Sequence, residues 1–260
     1  MPEGDTIFRA AIALRSALER QRIHHAESPL PQIDTAALVQ QEVASVETRG
    51  KHLLIHFVNS RCLHTHMGMT GSWHVYEQNA PWKKPARNAH VQLATATHSA
   101  VCFTPRQVEL LTPDGLRRHR WLSRLGPDIL SPGFEPTEAI TRLRVHDRTP
   151  IGEALMNQSL VSGIGNVYKS ELLFLEQLSP FAPVGSFTDE QLTSLLQLAG
   201  QLMRRNTGRG FRQTRFRTDG PRVWVYHRAG ELCLKCGERI LMQRQGDMGR
   251  STYYCPSCQR

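Results

Sequence analysis

Four of the six cysteines stand in two pairs, Cys233-Leu234-Lys235-Cys236 and Cys255-Pro256-Ser257-Cys258, with 18 residues between them. That spacing lies inside the C-x2-C-x15–20-C-x2-C pattern of zinc sites. Each pair can place two thiolates on one ion, and two pairs complete a tetrahedral all-sulfur set. No position is left open for a substrate, so the expected metal is one structural zinc ion. Two disulfides would use the same residues in an oxidising compartment. Between the pairs, RILMQRQ, a glycine-rich turn and STYY predict a two-stranded hairpin. Such a hairpin is too small to fold alone, and the metal would supply its folding free energy. Arg250 follows Gly249 at this turn. A metal-stapled turn could aim its charge; an ordinary solvated arginine reads the same. Cys62 and Cys102 lie in apolar strand-like stretches and read as buried thiols.

The opposite end offers different chemistry. With Met1 removed, Pro2 presents a secondary amine beside the carboxylate of Glu3. An α-amino group has a pKa of about 7.7–8.0, so part of it is unprotonated at neutral pH. Such an amine can attack the anomeric carbon of a sugar and form an iminium, and Glu3 can move the protons. The same residues also make an ordinary lead-in to a helix. Further along, Val161–Glu171 reads VSGIGNVYKSE, a glycine turn running into a helix. Asn166 falls near the helix start, where free N–H groups and the dipole attract a phosphate. A ligand-free helix–helix turn has the same pattern. Lys51, in TRGKHLL, sits at the mouth of a strand, where a lysine is either solvated or placed for a ligand. Met69 occupies a tip between Gly68 and Gly71. A methionine is core by default; exposed on a tight tip it becomes a wedge between bases.

These residues need elements to hold them. Ile7, Ala10, Ala11, Leu14 and Leu18 recur at helical spacing and predict a helix over Thr6–Arg22. From there to about Gly126 the chain reads as strands: VASVETRG, KHLLIHFV, CLHTHM, SWHVYE, HVQLATAT and AVCFTP are short, β-branched or aromatic, and separated by turn residues. A sandwich or flattened barrel follows. Helices are expected at Thr137–Leu143, Gly152–Leu160, Asn166–Leu178 and after the capping box Thr188-Asp189-Glu190-Gln191. The basic, glycine-rich stretch 206–222 reads as a mobile loop. The expected class is α+β in three parts: a β-sandwich domain over 1–130, a helical domain over 131–222 and a zinc hairpin over 223–260. A groove between domains is a natural ligand site.

Charge narrows the partners. The net is +9, and residues Arg204–Arg260 carry 13 Lys and Arg against 4 Asp and Glu, while the first 203 residues carry 19 of each. A basic field confined to one end suits a polyanion such as nucleic acid. No apolar run approaches the roughly 18 residues of a membrane span. The N-terminus carries Glu3 and Asp5 where a secretory leader would be basic and then apolar, so a cytoplasmic protein is expected.

Taken together, PEGDTIFR, VETRGKHLL, THMGMTGSW, SRLGPDIL, QSLVSGIGNVYKSELLF, VYHRAGELC and GRSTYYCPSCQ resemble, nearly end to end, the bacterial formamidopyrimidine-DNA glycosylase/endonuclease VIII family. PEGDTIFR and VETRGKHLLIHF lie closer to its endonuclease VIII branch. The resemblance implies a β-sandwich joined to a helix–two-turns–helix domain and a zinc finger, acting as a monomer on damaged double-stranded DNA at the bacterial nucleoid. It implies a flipped-out lesion and strand cleavage by β,δ-elimination. Pro2 would be the Schiff-base nucleophile and Glu3 the proton donor at the sugar. Lys51 would contact the phosphates flanking the lesion and assist elimination. Asn166 and Arg250 would clamp the lesion's phosphates, and Arg250 would serve the second elimination. Arg124, in SRLGPD, would meet the opposite strand, and Met69 would fill the hole left by flipping. The chain departs from both branches. The stretch PRQVELL offers Arg106, Gln107 and Val108 with no aromatic residue, the first loop offers one bulky residue where three are usual, and 206–222 matches neither branch. Oxidised pyrimidines are the expected substrate. An 8-oxoguanine preference and a non-catalytic damage-binding protein stay open as alternatives.

Overall fold

The computed structural model describes residues 2–208 and 210–260. Met1, on whose removal the N-terminal reading depends, lies outside the described residues, as does Arg209. The chain forms two compact units, one ending at Arg124 and the other spanning Leu125–Arg260.

The first unit holds α1 (Gly4–Leu18), β1 (His25–Glu27), β2 (Val43–Arg49), β3 (His52–Phe57), β4 (Cys62–His66), β5 (Ser72–Glu77), β6 (Ala89–Ala94), β7 (His98–Phe103), β8 (Gln107–Leu111) and the short α2 (Pro113–Arg117). The strands make two four-stranded sheets, β1-β6-β7-β5 and β2-β3-β4-β8, antiparallel throughout. Alternation decides which side chains meet between them. Leu53, Ile55 and Phe57 of β3, Leu63 of β4 and Val108 of β8 join Val91, Leu93, Ala100 and Cys102 of the other sheet in one core. Helix α1 adds Ile7, Ala11, Leu14 and Leu18 to that core. Cys62 and Cys102 are buried as expected. Burial pushes the Cys62 thiol up to about 12 and that of Cys102 further, which leaves both unreactive.

Three expectations shift here. The first helix starts earlier and ends earlier than Thr6–Arg22. Its first amides, on Thr6 and Ile7, bond to the Glu3 carbonyl at 2.9 and 3.1 Å. Its end is fixed by tertiary contacts: Arg20 N–H donates to the Val43 carbonyl at 2.8 Å, and the Glu19 carboxylate accepts from Val46 N–H at 2.7 Å. The three-residue strand β1 was too short to show a period. PRQVELL is strand rather than loop from Gln107 onward, and Val108 is core, so of the three only Arg106 lies exposed beside the tip that carries Met69.

The second unit holds α3 (Pro136–Arg144), α4 (Ile151–Ala154), α5 (Asn166–Leu175), α6 (Asp189–Arg205) and the hairpin β9 (Leu241–Gln245) and β10 (Arg250–Tyr254). The capping box is present in full: Thr188 Oγ1 accepts from Gln191 N–H, and the Gln191 side chain accepts from Thr188 N–H. The helix expected over Gly152–Leu160 stops at Ala154. Beyond it the Asn157 side chain takes up Ser159 N–H at 3.0 Å, and Gln158 bonds the Ile164 carbonyl and Gly163 N–H. These local bonds compete with a helix and build the glycine turn instead. The described residues of 206–222 are irregular yet internally bonded. Asn206 bonds Leu202 and both backbone groups of Gln213, and Thr214 and Arg215 N–H meet the Arg222 carbonyl. The cysteine hairpin shares a small core with α5 through Phe174, Val225, Cys233, Ile240 and Cys255.

Candidate active site and nucleic-acid contacts

The four cysteines converge. Cys236 and Cys255 sulfurs lie 3.4 Å apart and Cys233 and Cys258 sulfurs 3.9 Å apart, and all four fall within 4.8 Å of one another. Sulfurs 2.3 Å from a tetrahedral ion would be about 3.8 Å apart, so the cluster has the size of a Zn–S4 set. Four thiolates this close need a cation between them.

The hairpin so held is fastened to the start of α5. Asn166, first residue of that helix, is 4% exposed and donates from Nδ2 to the Ser251 carbonyl at 2.7 Å. Lys169, one turn on and buried, donates to Thr252 Oγ1 at 2.7 Å and to the Ser251 carbonyl at 3.3 Å. Arg250 is the neighbouring residue, and Gly249 before it adopts φ +56°, a left-handed turn conformation that glycine favours. Arg250, Lys169, Glu153 and Asn157 line a pocket of about 390 Å³ in this unit. The Asn166 Oδ1 is buried without a hydrogen-bond partner. Asn166 and Arg250, 84 positions apart in sequence, thus belong to one local structure.

Two residues of this structure escaped the sequence reading. Lys169 looked like any helix lysine. Glu171 is fully buried and its carboxylate accepts from the backbone of Trp224 (2.7 Å), Val225 (2.8 Å) and Tyr226 (2.8 Å) and from the Thr214 hydroxyl. Burial pushes this carboxyl above its usual range, and the four donors offset only part of that. The position inside KSE gave no sign that it ties the basic stretch to α5.

In the first unit, Glu3 is fully buried at the head of α1 and Pro2 half-buried beside it. Lys51 is the second residue of a two-residue turn between β2 and β3, after Gly50 at φ +58°, as the hairpin pattern requires. His52, which closes that turn, pairs with His66, so the loop that follows β4 lies at the same end of the sheet as Lys51. Met69 on that loop is 63% exposed. The core placement that methionine favours by default is therefore wrong here. Two glycines explain why. Gly68 adopts φ +63° with Arg106 Cβ packed where its own Cβ would be, and a Cβ on Gly71 would collide with the Met67 carbonyl. Gly71 N–H closes the tip onto that carbonyl at 2.9 Å. The tip is tight and its side chain points away from the core. Arg124 ends a single 3-10 turn and is exposed.

An opening helix, an antiparallel sandwich, and a helical unit closed by a four-cysteine hairpin define a class of DNA-lesion glycosylases. A family model described as the formamidopyrimidine-DNA glycosylase N-terminal domain matches residues 1–108, and one described as its H2TH domain matches 125–218. The chain is 37% identical to a probable endonuclease 8 2 of Streptomyces coelicolor, covering 100% of this chain and 94% of that one. It is equally similar, 37% over 100% and 99%, to the DNA-(apurinic or apyrimidinic site) lyase Nei2 of Mycolicibacterium smegmatis, and 32% identical over the full length of both chains to endonuclease 8 of Escherichia coli O157:H7. The formamidopyrimidine-DNA glycosylase of Lactococcus lactis, solved with abasic-site DNA, has the same fold at a TM-score of 0.83 over 100% of both chains, with 22% identity. The chain belongs to the formamidopyrimidine-DNA glycosylase/endonuclease VIII family, and so to the DNA glycosylases and abasic-site lyases of base excision repair.

Proposed function

We propose that the protein excises oxidised bases, pyrimidines foremost, from double-stranded DNA and cuts the strand at the abasic site by β,δ-elimination through a Schiff base on Pro2. The observation that carries this is the pairing of Pro2 with a carboxylate, Glu3, that the fold buries completely at the head of α1. A buried acid beside an amine of low pKa serves proton transfer; a mere lead-in to a helix would leave it in water. In this reading the amine attacks the sugar C1′, the base leaves and the ring opens to the iminium. Glu3 delivers the proton that the ring oxygen needs. The iminium then draws electrons from C2′, and the phosphates leave in turn.

The other residues serve binding and elimination. Lys51 on its turn and Asn166 with Arg250 on theirs hold the phosphates around the lesion, and Arg250 also assists the second elimination. Met69, exposed on its glycine-framed tip, fills the space the flipped nucleotide leaves. Arg124 meets the opposite strand. Cys233, Cys236, Cys255 and Cys258 hold one zinc ion, whose sole contribution is to keep the hairpin, and Arg250 on it, in place. The protein works as a monomer at the bacterial nucleoid.

Borohydride reduces an iminium to a stable amine, so it should trap a covalent complex between abasic-site DNA and protein beginning at Pro2. Peptide mapping should place the crosslink on residue 2. Absence of any adduct from protein verified to begin at Pro2 would end the lyase reading. A crosslink on an internal lysine would move the nucleophile elsewhere.

A further inference from the structure

The outer face of the sheet β2-β3-β4-β8 carries a row of groups with no part in the scheme above. His52 and His64 are buried, and His119 nearly so, in the segment that follows β8. His52 Nδ1 lies 2.8 Å from His64 Nε2. His64 Nδ1 and His119 Nε2 each lie 2.9 Å from the same oxygen of Glu109. Leu122 N–H points at His119 Nδ1 at 3.2 Å. His64 and Glu109 are direct cross-strand partners, as are His52 and His66.

These contacts fix every tautomer. A carboxylate only accepts, so His64 Nδ1 and His119 Nε2 carry protons. His119 Nδ1 accepts from Leu122, so that ring has a single proton and is neutral. With its proton on Nδ1, neutral His64 turns a lone pair to His52, which must donate from Nδ1. His52 Nε2 is left as a bare lone pair. Burial agrees, pushing His52 down to about 2 and its cross-strand neighbour His66 to about 4, and lowering His64 against the pull of Glu109. Burial works against ionised Glu109, but bonds from His64, Gln107 and His119 outweigh it and hold the carboxyl below its usual range. The charged groups facing the row are Lys51 at His52 and His66, and Arg106 at His66.

His64, Glu109 and His119 also have ligand atoms within 4.8 Å of one another, which suits a metal by distance. The tautomers refuse it. An ion on His119 Nε2 would drive the proton to Nδ1, against the Leu122 N–H.

We propose that His52, His64, Glu109 and His119 form a positioning relay for Lys51. His52 closes the two-residue turn on which Lys51 stands, so fixing its ring fixes the root of the lysine side chain. The relay is anchored at its far end by one carboxylate and a backbone amide. Kept neutral, it adds no third cation beside Lys51 and Arg106. The inference rests on the elimination role given to Lys51 above.

Single-turnover incision of preformed abasic-site DNA tests it. Glu109→Gln keeps the shape but replaces the carboxylate with a neutral amide, a weaker acceptor for both histidines. It should slow incision about tenfold, shift the acid limb of the pH–rate profile downward because His64 loses the upward pull of Glu109, and leave the Kd for the same DNA within twofold. In a Lys51→Ala background the same substitution should have no further effect on rate. His52→Leu should slow incision similarly, and His52→Asn, which keeps a donor near the Nδ1 position, should restore most of the loss. An equal slowing by Glu109→Gln with and without Lys51 would overturn the relay, as would an unchanged rate in both single variants. Binding of a second zinc ion per chain, abolished by His119→Gln, would overturn it in favour of a metal site. Should Lys51→Ala itself incise at the normal rate, the role of Lys51 fails, a result distinct from failure of the relay.

Discussion

Glu171 shows what single residues can hide. Its carboxylate closes over three successive backbone amides, Trp224, Val225 and Tyr226, and a threonine hydroxyl. Glu171→Gln would oppose an amide N–H to those donors. The expected loss is about 3 kcal/mol of stability, read by thermal or denaturant unfolding, together with faster proteolysis within 214–226. An unchanged unfolding midpoint would contradict the anchoring role. Residues were legible in the sequence where their chemistry is local. The cysteine spacing declared the S4 cluster, and GIGN declared a helix start. Glu171, Lys169 and the histidine row were not, because their side-chain partners lie 10 to 83 positions away and no spacing rule reaches that far. At Met69 the general preference of methionine for cores is overruled by two glycines a residue or two away, and the exposed tip that the resemblance implied is what remains.

At the scale of elements, strands and helices were legible where one face is apolar and caps are explicit. The Thr188 box is the clearest case, and six of the eight strands in the first unit fall on the β-branched, aromatic stretches read as strands. Ends set by tertiary bonds were not, as at Glu19 and Arg20. The sheet β2-β3-β4-β8 also makes a prediction of its own. His52, His64 and His66 all titrate below their unfolded value of about 6.5. A depressed histidine contributes its full stability above the unfolded pKa and loses it as pH falls toward the folded one. Stability should therefore be flat above pH 7 and fall between about 6.5 and 4, by up to about 1.4 kcal/mol per pH unit for each ring. Unfolding midpoints measured across that range check it. A midpoint indifferent to pH between 7 and 5 would mean the rings are charged in the folded state.

At the scale of the whole molecule, charge was legible and its deployment was not. Of the basic residues after Arg204, some are spent internally. Arg228 is buried and bonds Glu231 and the Trp224 and Leu232 carbonyls, and Arg215 meets Asp219. Arg250 lines an open pocket instead. The two kinds should part in salt titrations. Arg250→Ala should weaken binding to duplexes of any sequence and reduce the slope of log Kd against log salt by about 0.9, one phosphate's worth of released counterion. Arg228→Ala should cost stability and leave the slope alone. Anisotropy titrations between low and moderate salt separate these outcomes, and an Arg250 variant with an unchanged slope would take that residue off the DNA.

The tip at residues 68–71 has a bearing on how such a protein can change. Its backbone course is set by the glycines at either end, and its exposed side chain contributes nothing to the core. What the tip presents is therefore separable from what holds it up. Residue 69 can be exchanged at almost no cost in folding, while positions 68 and 71 tolerate almost nothing. A lineage, or an experimenter, can explore new side chains there one substitution at a time, each on an intact protein.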